Sequence, residues 1–219
     1  MIKLYSYFRS SAAYRVRIAL NWKGLDYEYL PVHLLRNGGE QLTPEYRALN
    51  PAGLVPTFIN DAGTASDPFQ QSLAIIEYLE EAHPTPPLLP EHPEDRAYVR
   101  GVAMQIASDI HPLNNLRVLK YLKHTLHADD AQREAWYQHW IAEGFATLEQ
   151  RFARDSRTGI FVFGDTPTLA DVCLVPQVFN ARRMKTDLSA YPTLVRVADN
   201  AAALDAFRLA SPDCQPDSE

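Results

Sequence analysis

Two adjacent hydroxyls, Ser10 and Ser11, stand where a short alternating run, residues 2–7 (IKLYSY), gives way to helical spacing. A hydroxyl at a helix start can cap it by accepting from a backbone N–H. It can also donate to a bound thiolate, because unpaired N–H groups and the positive end of the helix dipole stabilise an anion there. The thiolate is the nucleophilic form of a thiol, so such a turn prepares one for attack. Position alone leaves both uses open. A second hydroxyl, Ser72, follows Gln71 at the start of another helical run, where backbone N–H groups and a hydroxyl suit a carboxylate; a plain N-cap uses the same geometry. His111 and Asn115 are four apart and share a face of any helix that contains both. A histidine so placed serves either as a structural hydrogen-bonder or as a ligand contact.

These residues need elements to hold them. Apolar positions Ala12, Val16, Ala19 and Leu20 recur at helical spacing up to Trp22, and Lys23-Gly24 ends that helix. Residues 27–32 read as a second strand with Pro31 near its end, and a glycine-containing loop leads to a short helix around Pro44–Leu49. Val55–Ile59 and Thr64–Ser66 flank Asn60-Asp61-Ala62-Gly63, a hairpin signal, and Ser72–Ala82 is helical. The order β-α-β-α-β-β-α over residues 1–82 is that of a thioredoxin-like domain. Residues 83–93 hold five prolines and read as a linker. From 94 to 210 only helical periodicity is found, in runs 94–126, 130–153, 169–185 and 193–210, so an all-α domain is expected, with residues 211–219 disordered. Thr168-Leu169-Ala170-Asp171 reads as a structural capping box.

Composition sets the outer limits. With 219 residues and a formal net charge of −6, the chain has no general basic face for nucleic acid or anionic membrane. Cys173 and Cys214 make neither a disulfide framework nor a metal-ligand pattern, and Cys173 reads as a small core residue. No run approaches the ~20 apolar residues of a membrane span. A cytoplasmic protein without a metal is the expectation.

The string Phe8-Arg9-Ser10-Ser11-Ala12-Ala13-Tyr14-Arg15-Val16-Arg17-Ile18-Ala19-Leu20 resembles the signature of zeta-class glutathione transferases. The likeness extends to Leu49-Asn50-Pro51, Leu54-Val55-Pro56, Gln71-Ser72-Leu73-Ala74-Ile75 and Asp109–Arg117, and so covers both domains. It implies the glutathione transferase fold, a homodimer, and glutathione as cofactor. It makes Ser10 the activator of the glutathione thiol; Tyr7 is the rival, since other classes use a tyrosine near the end of strand 1. The resemblance implies that Ser11, Ala12, Gln41, Val55, Pro56, Gln71, Ser72, His111 and Asn115 bind glutathione, with a cis Val55-Pro56 bond. Ala12 stands where the family signature has cysteine; glutathione supplies the reacting thiol, so chemistry survives that change.

The implied reaction is cis–trans isomerisation of a maleyl keto-acid, maleylacetoacetate or maleylpyruvate, by reversible thiolate addition. Arg9, beside the turn, is assigned to catalysis and to substrate, and Arg183 to a substrate carboxylate, because planar guanidinium groups pair bidentately with carboxylates. Arg117 lies about 200° from Asn115 on a continuous helix, and joins them only if Pro112 changes the phase. Arg182 reads as a solvated charge, as does Arg15 or Arg17 unless one of them braces the loop. A conjugating transferase and a transferase-like binding protein without chemistry are the alternatives.

Overall fold

The computed structural model describes residues 1–60 and 67–219. In chain order the first elements are β1 (Ile2–Ser6), α1 (Ser11–Trp22), β2 (Tyr27–Pro31), α2 (Pro44–Leu49), β3 (Thr57–Asn60), β4 (Phe69–Gln70) and α3 (Ser72–Ala82). Helices follow: α4 (Pro93–Met104), α5 (Leu116–His124), α6 (Asp130–Arg154), α7 (Leu169–Arg183), α8 (Pro192–Ala202) and α9 (Asp205–Arg208). The chain divides into two compact units, Met1–Pro87 with Leu204–Glu219, and Leu88–Ala203.

The first unit is built on a four-stranded sheet in the order β2-β1-β3-β4, with β1 parallel to β2 and antiparallel to β3. Its central strands bury Leu4 and Phe58 completely. The strand paired with β3 is Phe69–Gln70, through Thr57↔Gln70 and Phe58↔Phe69. The expected turn residues Asp61–Gly63 and the expected strand Thr64–Ser66 lie outside the described residues. Helix α1 is enclosed almost all round: Ala13 to Leu20 are all buried, Arg15 and Arg17 among them. Neither arginine is solvated: Arg17 takes the bracing role left open for one of them, donating to the Tyr7 and Phe8 carbonyls, and Arg15 is buried as well.

The proline-rich segment is tied down rather than loose. The buried Lys23 ammonium donates to the Glu80 carboxylate (2.8 Å) and to the carbonyls of His83 (2.6 Å) and Pro86 (3.0 Å). All three of its protons are matched, which a buried ammonium requires.

The segment 204–219 also departs from expectation. The helical run expected over 193–210 breaks at Leu204, which is extended. Helix α9 packs on α1 with Phe207 buried, and the Tyr14 hydroxyl donates to the Phe207 carbonyl (3.2 Å). Residues 211–219, expected to be disordered, are placed by specific bonds. Buried Gln215 donates to the carbonyls of Leu209 (2.9 Å) and Ser211 (2.8 Å), and Glu219 pairs with Arg36. The polar, proline-containing composition concealed these bonds: Gln215 turns back on nearby carbonyls, and Glu219 meets a side chain distant in sequence.

In the second unit the run expected as one helix over 94–126 is four pieces. Helix α4 widens into a π-helical stretch, Gln105–Ile110, then tightens into a 3₁₀ turn, His111–Asn114. Pro112 cannot donate its missing N–H and its ring crowds the preceding turn. Asn115 is extended, and its side chain caps α5 by accepting from the Arg117 N–H (3.1 Å). The π-helical stretch lies close against α6: a Cβ on Gly144 would come within 2.3 Å of Ile110.

The start of α7 is fixed by Asp171, wholly buried. Its carboxylate accepts from the N–H of Val162 (2.9 Å) and of Thr168 (2.8 Å) and from the Thr168 hydroxyl (3.0 Å). Burial pushes its pKa up to about 6, against the pull of those hydrogen bonds. Replacing Asp171 by Ala strands buried donors, each worth ~1–3 kcal/mol when unpaired. We expect Asp171→Ala to lower the urea midpoint by an amount equal to about 3 kcal/mol or more; a wild-type midpoint would refute the structural assignment.

Candidate active site

The candidate residues of the first unit lie at two helix N-termini and in two connecting segments, one with Gln41 and one with Val55-Pro56. Ser10 caps α1: its Oγ accepts from the Ala13 N–H (3.2 Å) and its backbone N–H donates to the Tyr7 carbonyl (2.9 Å). An oxygen that accepts from the helix still carries its own proton, so capping and donation to a thiolate are compatible in one hydroxyl. Ser10 is half-buried, Ser11 buried and Ala12 half-buried. The Arg9 guanidinium is exposed and lies over the Phe8 ring, 4.7 Å from its centre. Tyr7 is buried, its ring edge-on to Phe8 and to His33.

At the start of α3, Gln71 has φ +69°, a left-handed conformation that a residue with a side chain rarely adopts. Strain of this kind concentrates at ligand clamps. The next residue, Ser72, is buried and its Oγ accepts from Arg15 Nη1 (3.4 Å). Arg15 therefore places a positive charge behind the α3 N-terminus, reinforcing its preference for an anion.

Gln41 is buried below Gly39, and a Cβ at Gly39 would come within 2.7 Å of the Gln41 amide. Gly39 also has φ +116°, which favours glycine there, and any side chain would displace the Gln41 amide. The Gln41 Oε1 is buried with no hydrogen-bond partner among the described residues. The Val55-Pro56 bond is cis, as the resemblance implies. An orphaned buried amide oxygen, a strained N-cap and a capping hydroxyl fit a ligand that is itself a short peptide with a carboxylate and a thiol.

The remaining candidates belong to the helical unit. Half-buried His111 opens the 3₁₀ turn, which α6 pins at two points: Asn114 Nδ2 donates to the Tyr137 carbonyl (3.1 Å) and Trp136 Nε1 donates to the Leu113 carbonyl (2.9 Å). Because the helix is interrupted at Asn115, the face-sharing expected of His111 and Asn115 does not apply, nor does the phase argument against Arg117. Asn115 is an N-cap and Arg117 is exposed on the first turn of α5.

Arg183 is exposed at the end of α7, and its positive charge partly offsets the rise that burial imposes on the pKa of the Tyr137 phenol. Tyr137 thus meets the 111–114 turn through its carbonyl, while its phenol feels the charge of Arg183. Sequence reasoning missed it; its buried place on α6 gave no sign of a functional neighbour. Arg182 is exposed and pairs with Asp199 (2.7 Å).

The comparisons agree with this geometry. The N-terminal domain model of glutathione S-transferase matches residues 4–87, and the C-terminal domain model matches residues 130–212. A Pseudomonas aeruginosa protein named maleylacetoacetate isomerase is 50% identical over 217 residues, 99% of each chain. A holo structure of a maleylpyruvate isomerase, described as a bacterial zeta-class glutathione transferase, superposes with a TM-score of 0.94 at 48% identity, covering 99% of this chain and all of that one. An Anaeromyxobacter dehalogenans maleylacetoacetate isomerase crystallised with glutathione in its active site has a TM-score of 0.87 at 44% identity, covering 100% of this chain and 98% of that one. With both domains matched and relatives this similar over their full length, the chain belongs to the glutathione transferase family, in its zeta class.

Proposed function

We propose that this protein is a glutathione-dependent isomerase that converts maleylacetoacetate to fumarylacetoacetate in tyrosine breakdown. The observation that carries the proposal is the Ser10 hydroxyl, which caps α1 through its oxygen and so has its proton left to donate. Bound glutathione supplies the thiolate whose reversible addition lets the cis double bond rotate. Ser10 lowers the pKa of that thiol, aided by the positive end of α1. Gln71, Ser72 and the charge of Arg15 hold the glutamyl carboxylate, Gln41 serves the glycine end, and Val55 pairs with the cofactor's backbone. Arg9 balances the negative charge that develops on the keto-acid in the transition state. His111, Asn115, Arg117 and Arg183 are assigned to cofactor and substrate, with Arg183 holding a carboxylate.

A second reading takes maleylpyruvate as substrate; the zeta-class neighbour with a TM-score of 0.94 carries that name. The two keto-acids share the maleyl end and differ beyond the ketone, so parallel assays on both decide between them. A cytoplasmic homodimer completes the proposal. Two free cysteines suit a reducing compartment. For the dimer, a groove in the helical unit of mixed polarity, lined by Met104 and Trp140 together with Gln105, Asp109 and Glu143, leaves Met104 52% exposed, an apolar side chain that a second copy would cover.

Ser10→Ala should raise the pKa of bound glutathione and slow isomerisation by about 10²-fold, the loss of one positioned donor. Removal of the cap adds about 1 kcal/mol of destabilisation, visible separately in thermal unfolding. Tyr7→Phe should leave the thiol pKa unchanged; the reverse pattern would transfer the role to Tyr7.

Arg9→Met or Arg183→Met should remove about 1.5–3 kcal/mol of charge-assisted bonding and lower kcat/KM for the diacid ten- to a hundredfold. Conjugation of chlorodinitrobenzene, which has no carboxylate, should persist. Equal losses on both substrates would assign the arginines to folding or to glutathione. Sedimentation velocity should give twice the chain mass, and Met104→Asp should shift it toward the monomer.

A further inference from the structure

The turn that carries Arg9 and Ser10 is held from behind by two charged side chains of opposite sign. From one side Arg17, fully buried, donates through Nη1 to the Ser6 hydroxyl (3.0 Å) and the Tyr7 carbonyl (3.4 Å), and through Nη2 to the Phe8 carbonyl (3.0 Å). Its Nε reaches the Ala210 carbonyl (2.9 Å). From the other side the carboxylate of Asp217 accepts the Phe8 N–H (3.1 Å) through one oxygen and the Tyr29 hydroxyl (2.6 Å) through the other. Both C=O groups and the intervening N–H of residues 7 and 8 are thereby matched, two positions ahead of Ser10.

We propose that Asp217 is a positioning residue for the thiol-activating turn: by holding the Phe8 N–H it fixes where the Ser10 hydroxyl points, although it is 207 residues away in sequence. The Tyr7 carbonyl that accepts from Arg17 also accepts the Ser10 N–H (2.9 Å), so displacement of this peptide pair moves the cap itself. Hydrogen-bond donation to a thiolate depends steeply on distance and angle, which makes a small shift of Ser10 costly to the thiol and harmless to the fold. Tyr29, on β2, holds the second carboxylate oxygen and so sets the carboxylate plane. This inference rests on Ser10 being the activator.

The test separates positioning from folding and from failure of the Ser10 assignment. Asp217→Ala and Asp217→Asn are compared with wild type and with Ser10→Ala, alone and combined, in the full chain. Four quantities are measured: thermal midpoint, KM for glutathione, kcat, and thiolate absorbance of bound glutathione against pH. Asp217→Ala should cut kcat about tenfold and raise the thiol pKa, with KM for glutathione within about twofold. Asp217→Asn, whose amide oxygen can still accept from Phe8, should recover most of the loss. Added to Ser10→Ala, the Asp217 change should have little further effect, because the two act through one hydroxyl.

A wild-type thiol pKa in Asp217→Ala, or losses that multiply in the double variant, would overturn the proposal while leaving Ser10 in place. A wild-type thiol pKa in Ser10→Ala would instead remove the reading on which it rests. Should Asp217→Ala fail to fold, Tyr29→Phe keeps the carboxylate but frees its orientation, and should show the same direction of change at smaller size; an unchanged thiol pKa there would count against the proposal.

Discussion

The guanidinium of Arg17 lies wholly inside the first unit and directs its protons to the Ser6 hydroxyl and to the carbonyls of Tyr7, Phe8 and Ala210. Burying a cation is costly unless it is fully hydrogen-bonded. Here the cost fixes geometry: one rigid planar group defines the end of β1, the entry to α1 and the return of the 204–219 segment. An apolar side chain of similar volume could fill the same space, but it could not specify which carbonyls converge there. The placement of Ser10 follows from that convergence.

The same device recurs wherever segments distant in sequence must meet. Lys23 gathers Glu80, His83 and Pro86; Arg15 joins α1 to the start of α3; Asp171 joins α7 to the Val162 loop; Glu149 accepts the N–H groups of Thr193 (3.1 Å) and Leu194 (2.7 Å) at the start of α8. Except for Arg15, whose acceptor is the Ser72 hydroxyl, each satisfies main-chain groups that no local partner reaches. The apolar core supplies the driving force for folding, and these contacts select which loops lie beside which helices.

That division explains what the sequence disclosed. Helices α2 and α3 were legible to the residue because local signals bound them: Thr43 and Pro44 start one, and the run after Gln71 gives the other its apolar face. The serine turn and the Gln71-Ser72 pair were legible as candidates from position and as assignments only through the family signature. The interruption at 105–115 was hidden, since apolar spacing continues across it and Pro112 marks a bend without giving its form. Arg15 and Arg17 read as solvated charges unless one of them braced the loop, and the sequence did not show which would do so or that both would be buried. The partners of Asp217 could not be inferred, because a contact between single residues on opposite ends of the chain has no period.

The return of residues 204–219 to the first unit bears on how the chain is made. Synthesis runs from the N-terminus, and domains generally fold as their residues emerge. Here β1 and α1 appear first, yet the Ala210 carbonyl and the Asp217 carboxylate that complete them are translated only after the whole helical unit, a delay on the order of ten seconds at ribosomal speed. During that interval Arg17 Nε lacks the Ala210 carbonyl and the Phe8 N–H lacks the Asp217 carboxylate. The nascent first unit therefore sits on the ribosome as an incomplete body, and the turn that carries Ser10 is among the last parts of the molecule to be finished.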